Sequence, residues 1–317
     1  MTSHAHSLRT TAEVEVARSR GLPLVALESS VLAQGLLPPH NREAAQRMTR
    51  AVELRGAFPV ITAVVHGVPT LGLDPDELER FLARDGVRKV SARDLAFAMA
   101  TNADGATTVA GTLALCALGG LQVFATGGIG GVHRDAPYDE SADLAELART
   151  QTIVVCAGAK SILDLSATME RLESHGVTVV GYRTRELPGF FTTTTGIKLD
   201  LTVQSADELA TLWMHHKELR RPGAVLVVQP PPTEFALPAD LVNEATAAAL
   251  QSAREQGVRG GAVTPFLLAE VQRRTNGRSV VSNLALLEAN AALAADIAVA
   301  LARGGVTLHR KSDPSSS

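Results

Sequence analysis

The 317-residue sequence predicts an α/β fold: a single α/β/α sandwich domain with a mostly parallel central sheet and a helical C-terminal third. Three observations predict it. Short runs of Val, Ile and Leu recur without polar alternation, which is typical of strands covered on both faces. Segments with apolar residues at three- and four-residue spacing lie between these runs, and this alternation favours parallel strands joined by right-handed crossovers. After Val228 the pattern is almost entirely helical.

Each predicted element rests on such a segment. The buried strands are predicted at residues 22–27, 60–65, 122–125, 152–157, 177–182 and 224–228. The helices are predicted at residues 41–55, 76–84, 107–118, 143–149, 162–174, 206–219, 238–255, 265–275 and 281–303. Asn41 and Ser141 are expected as N-caps, and Gly176 is expected to end its helix. One domain is expected over residues 1–310, followed by a disordered polar tail at 311–317.

The composition argues against a nucleic-acid polymer as partner. There are 30 basic and 33 acidic residues, a net charge of −3, and only 3% of residues are aromatic. Such a chain has neither a basic field for phosphates nor much aromatic surface for stacked bases. Since 45% of the residues are hydrophobic, it can still bury a sizeable core.

The chain is expected to be a cytoplasmic protein that makes no membrane contact. Cys116 and Cys156 both lie in apolar runs, where buried thiols in a reducing compartment are a better fit than a disulfide. We expect no apolar run to reach the roughly 18–20 residues of a membrane span. The first nine residues have no apolar stretch of signal-peptide length.

Lysine is rare here, with five Lys beside 25 Arg, and Lys160 follows an apolar strand and the dipeptide Gly158-Ala159. Dry surroundings lower a lysine pKa and free the amine to attack a carbonyl group. The alternative is an ion pair with Asp164 on the next turn. Lys89 lies in a small basic cluster that either binds phosphate or is solvated surface.

Acidic and glycine-rich segments follow other predicted strands. Glu28 interrupts the apolar run ALES, as a proton donor or as a structural carboxylate. Residues 127–131 contain four glycines, which suit either a phosphate or sugar nest or a tight turn. Asp139 and Asp143 lie four apart around a predicted helix start; they either share a hard divalent cation or are an ordinary acidic helix start. Together with a helix beginning near Thr107, these parts suit Schiff-base chemistry on a sugar phosphate.

The same segments carry a family resemblance over residues 24–302. They read ALESSVLAQGLLPPHNREAA, GATTVAGTLALCALGGLQVFATGGIGGVHR, ESADLAELARTQTIVVCAGAKSILD and TPFLLAE, with Asn290-Ala291 near the end. The chain resembles the pseudouridine-5′-phosphate glycosidase family. The resemblance implies reversible cleavage of pseudouridine 5′-phosphate to uracil and ribose 5-phosphate, through a ring-opened sugar bound to a lysine. It also implies one Mn²⁺ per subunit and a homotrimer.

By motif match, the resemblance implies that Lys160 is the nucleophile, Glu28 the proton donor and Asp139 the metal ligand. The substrate-binding residues that it implies are Lys89, Val109, Ser141, Ala142, Asp143, His133, Asn290 and Thr126. The chain departs from the family pattern at residues 133–139, which are two residues shorter, and Glu140 replaces an apolar residue. Glu140 could alter the metal preference or serve as a ligand itself.

Two other classes of function compete with this one. A sugar-phosphate kinase would use the glycine run and Asp139, but the sequence has no G-x-x-x-x-G-K-[ST] phosphate loop. A non-catalytic nucleotide or sugar-phosphate binding protein would need Lys160 for affinity only. Replacing Lys160 therefore separates binding from catalysis.

Overall fold

The computed structural model describes residues 8–134, 138–259 and 263–311. Its strands include all six that the sequence predicts, with boundaries that shift by one or two residues. They are β1 Arg9–Thr10, β2 Leu24–Glu28, β3 Phe58–Val65, β4 Val68–Leu71, β5 Arg88–Val90, β6 Gly105–Thr107, β7 Val123–Ala125, β8 Val132–His133, β9 Ile153–Cys156, β10 Leu163–Asp164, β11 Thr178–Tyr182, β12 Thr202–Val203 and β13 Val225–Val228.

All nine predicted helices are present, together with two short ones that the sequence analysis missed. The helices are α1 Ala12–Ser19, α2 His40–Leu54, α3 Pro75–Ala83, α4 Leu95–Ala100, α5 Val109–Gly119, α6 Ala142–Arg149, α7 Leu165–Ser174, α8 Ala206–Glu218, α9 Ala239–Glu255, α10 Val263–Arg274 and α11 Arg278–Lys311. Lys311 thus ends a helix, whereas residues 312–317 of the predicted tail lie outside the described residues. The single domain over residues 1–310 stays a prediction.

The central sheet has eleven strands and is mostly parallel, as predicted. Its order is β1-β4-β3-β2-β7-β9-β13-β11-β12, with β6 paired to β3 and β5 paired to β6. The run from β3 to β12 is parallel, whereas β4 and β6 are antiparallel to β3. Because parallel neighbours end on the same side, the residues that follow β2, β7, β9 and β13 meet at one edge of the sheet.

The partner of β3 changes from β2 to β6 where β2 ends, and this point is called the division of the sheet. Glu28, the last residue of β2, pairs with Thr62 of β3. The next residues of β3, Ala63 and Val64, pair with β6 instead. Sequence analysis missed β5 and β6 because their sequences, RKV and GAT, contain no apolar run.

Helix α11 forms the centre of the helical C-terminal third. It packs against α2, α8 and the strands β2, β7 and β9. The segment Arg278–Gly304 contains an 18-residue window with a mean hydropathy of 1.8, so it is long and apolar enough to cross a membrane by length and composition. We expected no segment to meet this criterion. However, 67% of its apolar window is buried inside the protein, as in a core helix.

One predicted helix cap is wrong. Helix α2 begins at His40 after Pro39, so Asn41 lies within the helix and is buried. Its Nδ2 donates to the carbonyls of Leu32 and Leu82, at 3.0 and 2.9 Å, and ties the helix to distant segments. The other two predictions are confirmed. Ser141 caps α6, and Gly176 follows the end of α7 with a φ of 68°.

Candidate active site

Glu28 lies at the carboxyl edge of the sheet with both carboxylate oxygens hydrogen-bonded. It is 7% exposed, and Ser30 Oγ donates to Oε2 at 2.6 Å. Thr126 Oγ1 donates to Oε1 from the end of the neighbouring strand β7. Two hydroxyl donors therefore fix the direction of this carboxylate. The structure makes Thr126, which the resemblance assigned to substrate, a partner of Glu28; sequence analysis missed Ser30 although it lies two residues away.

Asn290 holds the backbone of Thr126, the residue that contacts Glu28. It is 1% exposed in α11, and its Nδ2 donates to the carbonyls of Thr126 and Gly127 at 2.8 and 3.3 Å. Its Oδ1 accepts from Gln229 Nε2 at 2.9 Å, just after β13. The amide of Asn290 is thus engaged by protein atoms, and its observed contact is with the loop rather than with an open cleft.

Lys160 is half-buried four residues beyond the end of β9. Its backbone amide donates to the carbonyl of Ile129 at 3.1 Å, which joins it to the glycine-rich loop. Asp164 instead caps α7 by accepting the amide of Ala167 at 2.9 Å. No carboxylate among the described residues forms an ion pair with Lys160, so the alternative pairing with Asp164 is not observed.

Lys89 is the middle residue of β5 and is exposed as a whole, although nearby protein atoms partly desolvate its amine. The pKa of Lys89 is lowered, first by burial and then by the charge of Lys160, while the carboxylates of Asp143 and Glu28 act in the opposite direction. The charges of Lys160, Asp143 and Glu28 are therefore near enough to act on Lys89. These four residues come from four separate segments that the sequence analysis singled out.

Asp143 is a clamp between two segments of backbone. It is 6% exposed, and its carboxylate accepts the amide of Ala110 at 2.9 Å and that of Gly130 at 2.8 Å. The Gly111 amide of the same helix start bonds Thr108 Oγ1 at 3.3 Å. Of the first amides of α5, Val109 is therefore the one left to face a ligand. Both Asp143 oxygens accept backbone amides, so the observed role of this carboxylate is to join α5 to the glycine-rich loop.

The glycine-rich loop is shaped by close packing. A Cβ on Gly130 would lie 2.2 Å from Ser141 Oγ, and one on Gly128 would lie 2.6 Å from the ring of Phe190. These two glycines let the loop approach α6 and the segment after β11. The loop therefore places Lys160 and Asp143 through backbone contacts, which favours the tight-turn alternative over an open nest.

The start of α6 and strand β8 carry the remaining residues that were predicted to bind substrate. Ser141 Oγ accepts the amide of Asp143 at 3.2 Å, and Ala142 is exposed. His133 is half-buried in β8, which pairs with β10 just after Lys160. Its amide donates to the carbonyl of Asp139 at 3.0 Å. Residues 135–137 of the shortened stretch 133–139 lie outside the described residues.

The chain matches known proteins over most of its length. The family model for indigoidine synthase A-like proteins matches residues 13–300. The chain belongs to this family. The pseudouridine-5′-phosphate glycosidase of Gemmatimonas aurantiaca is 68% identical over 296 residues, which cover 93% of this chain and 97% of that protein. The enzyme of the same name from Roseiflexus sp. is 50% identical over 301 residues, 93% of this chain and 96% of that one. The resemblance read from the motifs is confirmed.

Solved structures of the family share the fold. The prealnumycin C-glycosynthase in complex with ribulose 5-phosphate superposes with a TM-score of 0.87 at 35% identity, covering 95% of this chain and 98% of that one. An indigoidine synthase A-like protein from Thermotoga maritima also gives 0.87, at 33% identity, covering 96% and 99%. The predicted α/β class with its C-terminal helices is confirmed.

The residues around Asp139 fit at most a water-rich cation site. Among the described residues, no group of three His, Cys, Asp or Glu side chains could hold a metal ion. Asp139 is exposed, whereas Glu140 is bound by Arg171 Nε at 2.9 Å and is therefore not an open ligand. One carboxylate is a suitable anchor for a hard cation that keeps water and substrate oxygens as its other ligands.

A cavity of about 730 Å³ begins at Ser161, the residue after Lys160. It is lined by Arg134, Ser161, the start of α7, the segment around Thr194 and the start of α9. None of the residues predicted for the site lines it within the described chain. The residues predicted to be catalytic therefore lie outside this cavity, at the adjoining edge of the sheet.

Proposed function

We propose that this member of the indigoidine synthase A-like family is a pseudouridine-5′-phosphate glycosidase, which reversibly cleaves the C–C glycosidic bond to give uracil and ribose 5-phosphate. Relatives of that name reach 68% identity over 93% of the chain. The observation that carries the proposal is the carboxylate of Glu28, directed by two hydroxyls at the sheet edge that Lys160 also follows. The charges of both residues act on Lys89.

The bond chemistry explains why a lysine and a carboxylate are both needed. When the ribose ring opens, the C1′–O4′ bond breaks and the oxygen takes a proton, which Glu28 can donate. The Lys160 amine then forms a bond to C1′, and the proton that its nitrogen releases returns to the Glu28 carboxylate. When the C1′–C5 bond breaks, its electron pair stays on uracil and C5 takes that proton. Water hydrolyses the remaining imine to ribose 5-phosphate and restores the amine.

The other charged groups are suited to hold the phosphate. The charge of Lys160 acts on Lys89, and the Val109 amide begins α5. A helix start with a free amide attracts a phosphate oxygen, and an ammonium group adds its charge. We assign Ser141 and Ala142 to the same ligand because they begin α6 next to the Asp143 clamp.

Asp139 is our candidate for the metal ligand, with Mn²⁺ as the ion. When bound there, the ion would supply positive charge to phosphate or hydroxyl oxygens of the substrate. An Asp139→Asn variant is expected to need a higher Mn²⁺ concentration for half-maximal activity. Glu140→Gln serves as its control because Glu140 is held by Arg171. Equal Mn²⁺ requirements for Asp139→Asn and the wild type would remove Asp139 from this role.

The first experiment is uracil release from pseudouridine 5′-phosphate with Mn²⁺, followed by chromatography. Lys160→Ala is expected to abolish release, whereas Lys198→Ala, an exposed lysine, is expected to leave it unchanged. Borohydride added during turnover is expected to fix a sugar phosphate on Lys160, seen as a mass increase of its peptide. Release by Lys160→Ala at the wild-type rate would refute the assignment.

A second variant isolates the proton donor. Glu28→Gln keeps the shape of the side chain and one acceptor for Ser30 or Thr126. We expect it to fold, bind ribose 5-phosphate and release no uracil. If its turnover matched the wild type, the proton donor would have to lie elsewhere.

The assembly and the compartment complete the proposal. We propose a homotrimer, which light scattering after size exclusion would test. Cys116 and Cys156 are free thiols buried in the core, which supports a reducing compartment such as the cytoplasm.

A further inference from the structure

Four buried hydroxyl side chains meet where the sheet divides. Ser29, Thr62, Thr107 and Thr112 are each 0% exposed, and they come from the end of β2, from β3, from β6 and from α5. No motif in the sequence marks this group, because its members are up to 83 residues apart, from 29 to 112. It lies directly beneath Glu28, the residue before Ser29.

Their hydrogen bonds converge on Thr62 and Thr107. The carbonyl of Thr62 accepts from Ser29 Oγ at 2.6 Å and from Thr107 Oγ1 at 2.9 Å. Thr107 Oγ1 also accepts from Thr112 Oγ1 at 3.0 Å, and the Thr107 amide donates to Ser29 Oγ at 2.9 Å. Thr107 therefore contacts all three of the other residues, since its hydroxyl also lies 2.9 Å from that of Thr62.

The position of the group explains why hydroxyls are used. At Thr62 the partner of β3 changes from β2 to β6, so the regular ladder of backbone bonds is interrupted. Buried backbone groups that lose ladder partners need others. The hydroxyls of Ser29 and Thr107 supply them and join the end of β2 to the strand that leads into α5. A valine at 107 would fill similar space but would leave these bonds unmade.

We propose that Thr107 is a positioning residue for proton transfer by Glu28. Its hydroxyl donates to the Thr62 carbonyl that also accepts Ser29 Oγ, and lies 3.4 Å from Ser29 Oγ, so it holds the residue that follows Glu28. Thr107 also lies two residues before Val109, where α5 begins. The proton donor and the helix start assigned to the phosphate are thus held at a set spacing. Lys160 follows β9 and has no contact with this group among the described residues. This inference rests on the proposed function.

The test compares Thr107→Val, which removes the hydroxyl, with Thr107→Ser, which keeps it. A matched control is Thr246→Val in α9, where the hydroxyl is equally buried but has no hydrogen-bond partner within the described chain. The readouts are kcat and KM for pseudouridine 5′-phosphate, borohydride trapping of ribose 5-phosphate on Lys160, and the melting temperature.

We expect kcat of Thr107→Val to fall at least tenfold with KM changed less than kcat, and trapping on Lys160 to stay at the wild-type level. Thr107→Ser is expected to remain within threefold of the wild type, as is Thr246→Val. A merely structural role would lower the melting temperature of Thr107→Val and leave kcat of the folded protein unchanged.

Three results would overturn the proposal. They are a Thr107→Val kcat within threefold of the wild type, a Thr107→Ser variant as impaired as Thr107→Val, or an equal loss of turnover and trapping. Should Thr107→Val fail to fold, Thr112→Val and Thr112→Ser replace it under the same criteria, because the Thr112 hydroxyl donates to Thr107. If the wild type itself neither releases uracil nor traps ribose 5-phosphate, the proposed function fails instead.

Discussion

Asp143 offers the sharpest separation between a structural clamp and a substrate contact. Its carboxylate accepts two backbone amides, those of Ala110 and Gly130, at 2.9 and 2.8 Å. A buried donor that loses its partner costs about 1–3 kcal/mol, so Asp143→Ala is expected to lower the free energy of unfolding by about 2–6 kcal/mol. Asp143→Asn keeps one acceptor oxygen, so about 1–3 kcal/mol is expected for it.

The assay is urea unfolding at pH 7, with the binding of ribose 5-phosphate measured beside it. Asp207→Ala is the matched control, since Asp207 is also an acidic residue in the first turn of a helix but is exposed. We expect that control to stay within about 0.5 kcal/mol of the wild type, as surface changes usually do.

The refuting result follows directly. If Asp143→Ala unfolds like Asp207→Ala and loses only its affinity for ribose 5-phosphate, the carboxylate is a substrate contact and the clamp is wrong. A large loss of stability with normal affinity would instead limit Asp143 to the clamp.

The remaining predictions concern charge, thiols and backbone. The pKa of Lys89 is lowered in the folded protein, so its positive charge disfavours folding at any pH below that pKa. Lys89→Met should therefore stabilise the protein at pH 7, and the gain should shrink as the pH rises towards 10.5. The same variant should bind ribose 5-phosphate more weakly. Equal melting-temperature differences at pH 7 and 10 would contradict this. Burial raises the pKa of Cys156 to about 12 and also that of Cys116, so iodoacetamide at pH 8 should label neither thiol, by mass spectrometry, until the protein is unfolded. Gly158→Ala should lower the melting temperature and turnover more than Gly196→Ala: both have a positive φ, but only at Gly158 would a Cβ meet a backbone atom, 2.5 Å from the carbonyl of Pro188. Equal losses for the two glycine variants would show that the contact is unimportant.

Local pattern was sufficient to predict the large elements and to single out candidate reactive residues. Strands such as β9 and β13 are unbroken apolar runs, and helices such as α2 and α8 carry regular apolar spacing, so each is identifiable within its own segment. Glu28 and Lys160 were identifiable because burying a charge beside an apolar strand costs free energy unless the charge is paired or hydrogen-bonded. Asn41 was misassigned because its residue type suits a cap, while its buried position depends on Leu32 and Leu82.

The sequence by itself determined the α/β class, the order of the main strands and helices, and the residues able to act as nucleophile and proton donor. It could do so because these depend on hydrophobic period and residue chemistry within short segments. Only the tertiary structure decided which groups these residues contact. Thr126 donates to Glu28, and Asn290 donates to the carbonyl of Thr126. Asp143 accepts two backbone amides, and Thr107 donates to the carbonyl of Thr62, where the partner of β3 changes. Each of these bonds joins residues far apart in the chain, and a hydrogen bond depends on distance and direction that no local pattern contains.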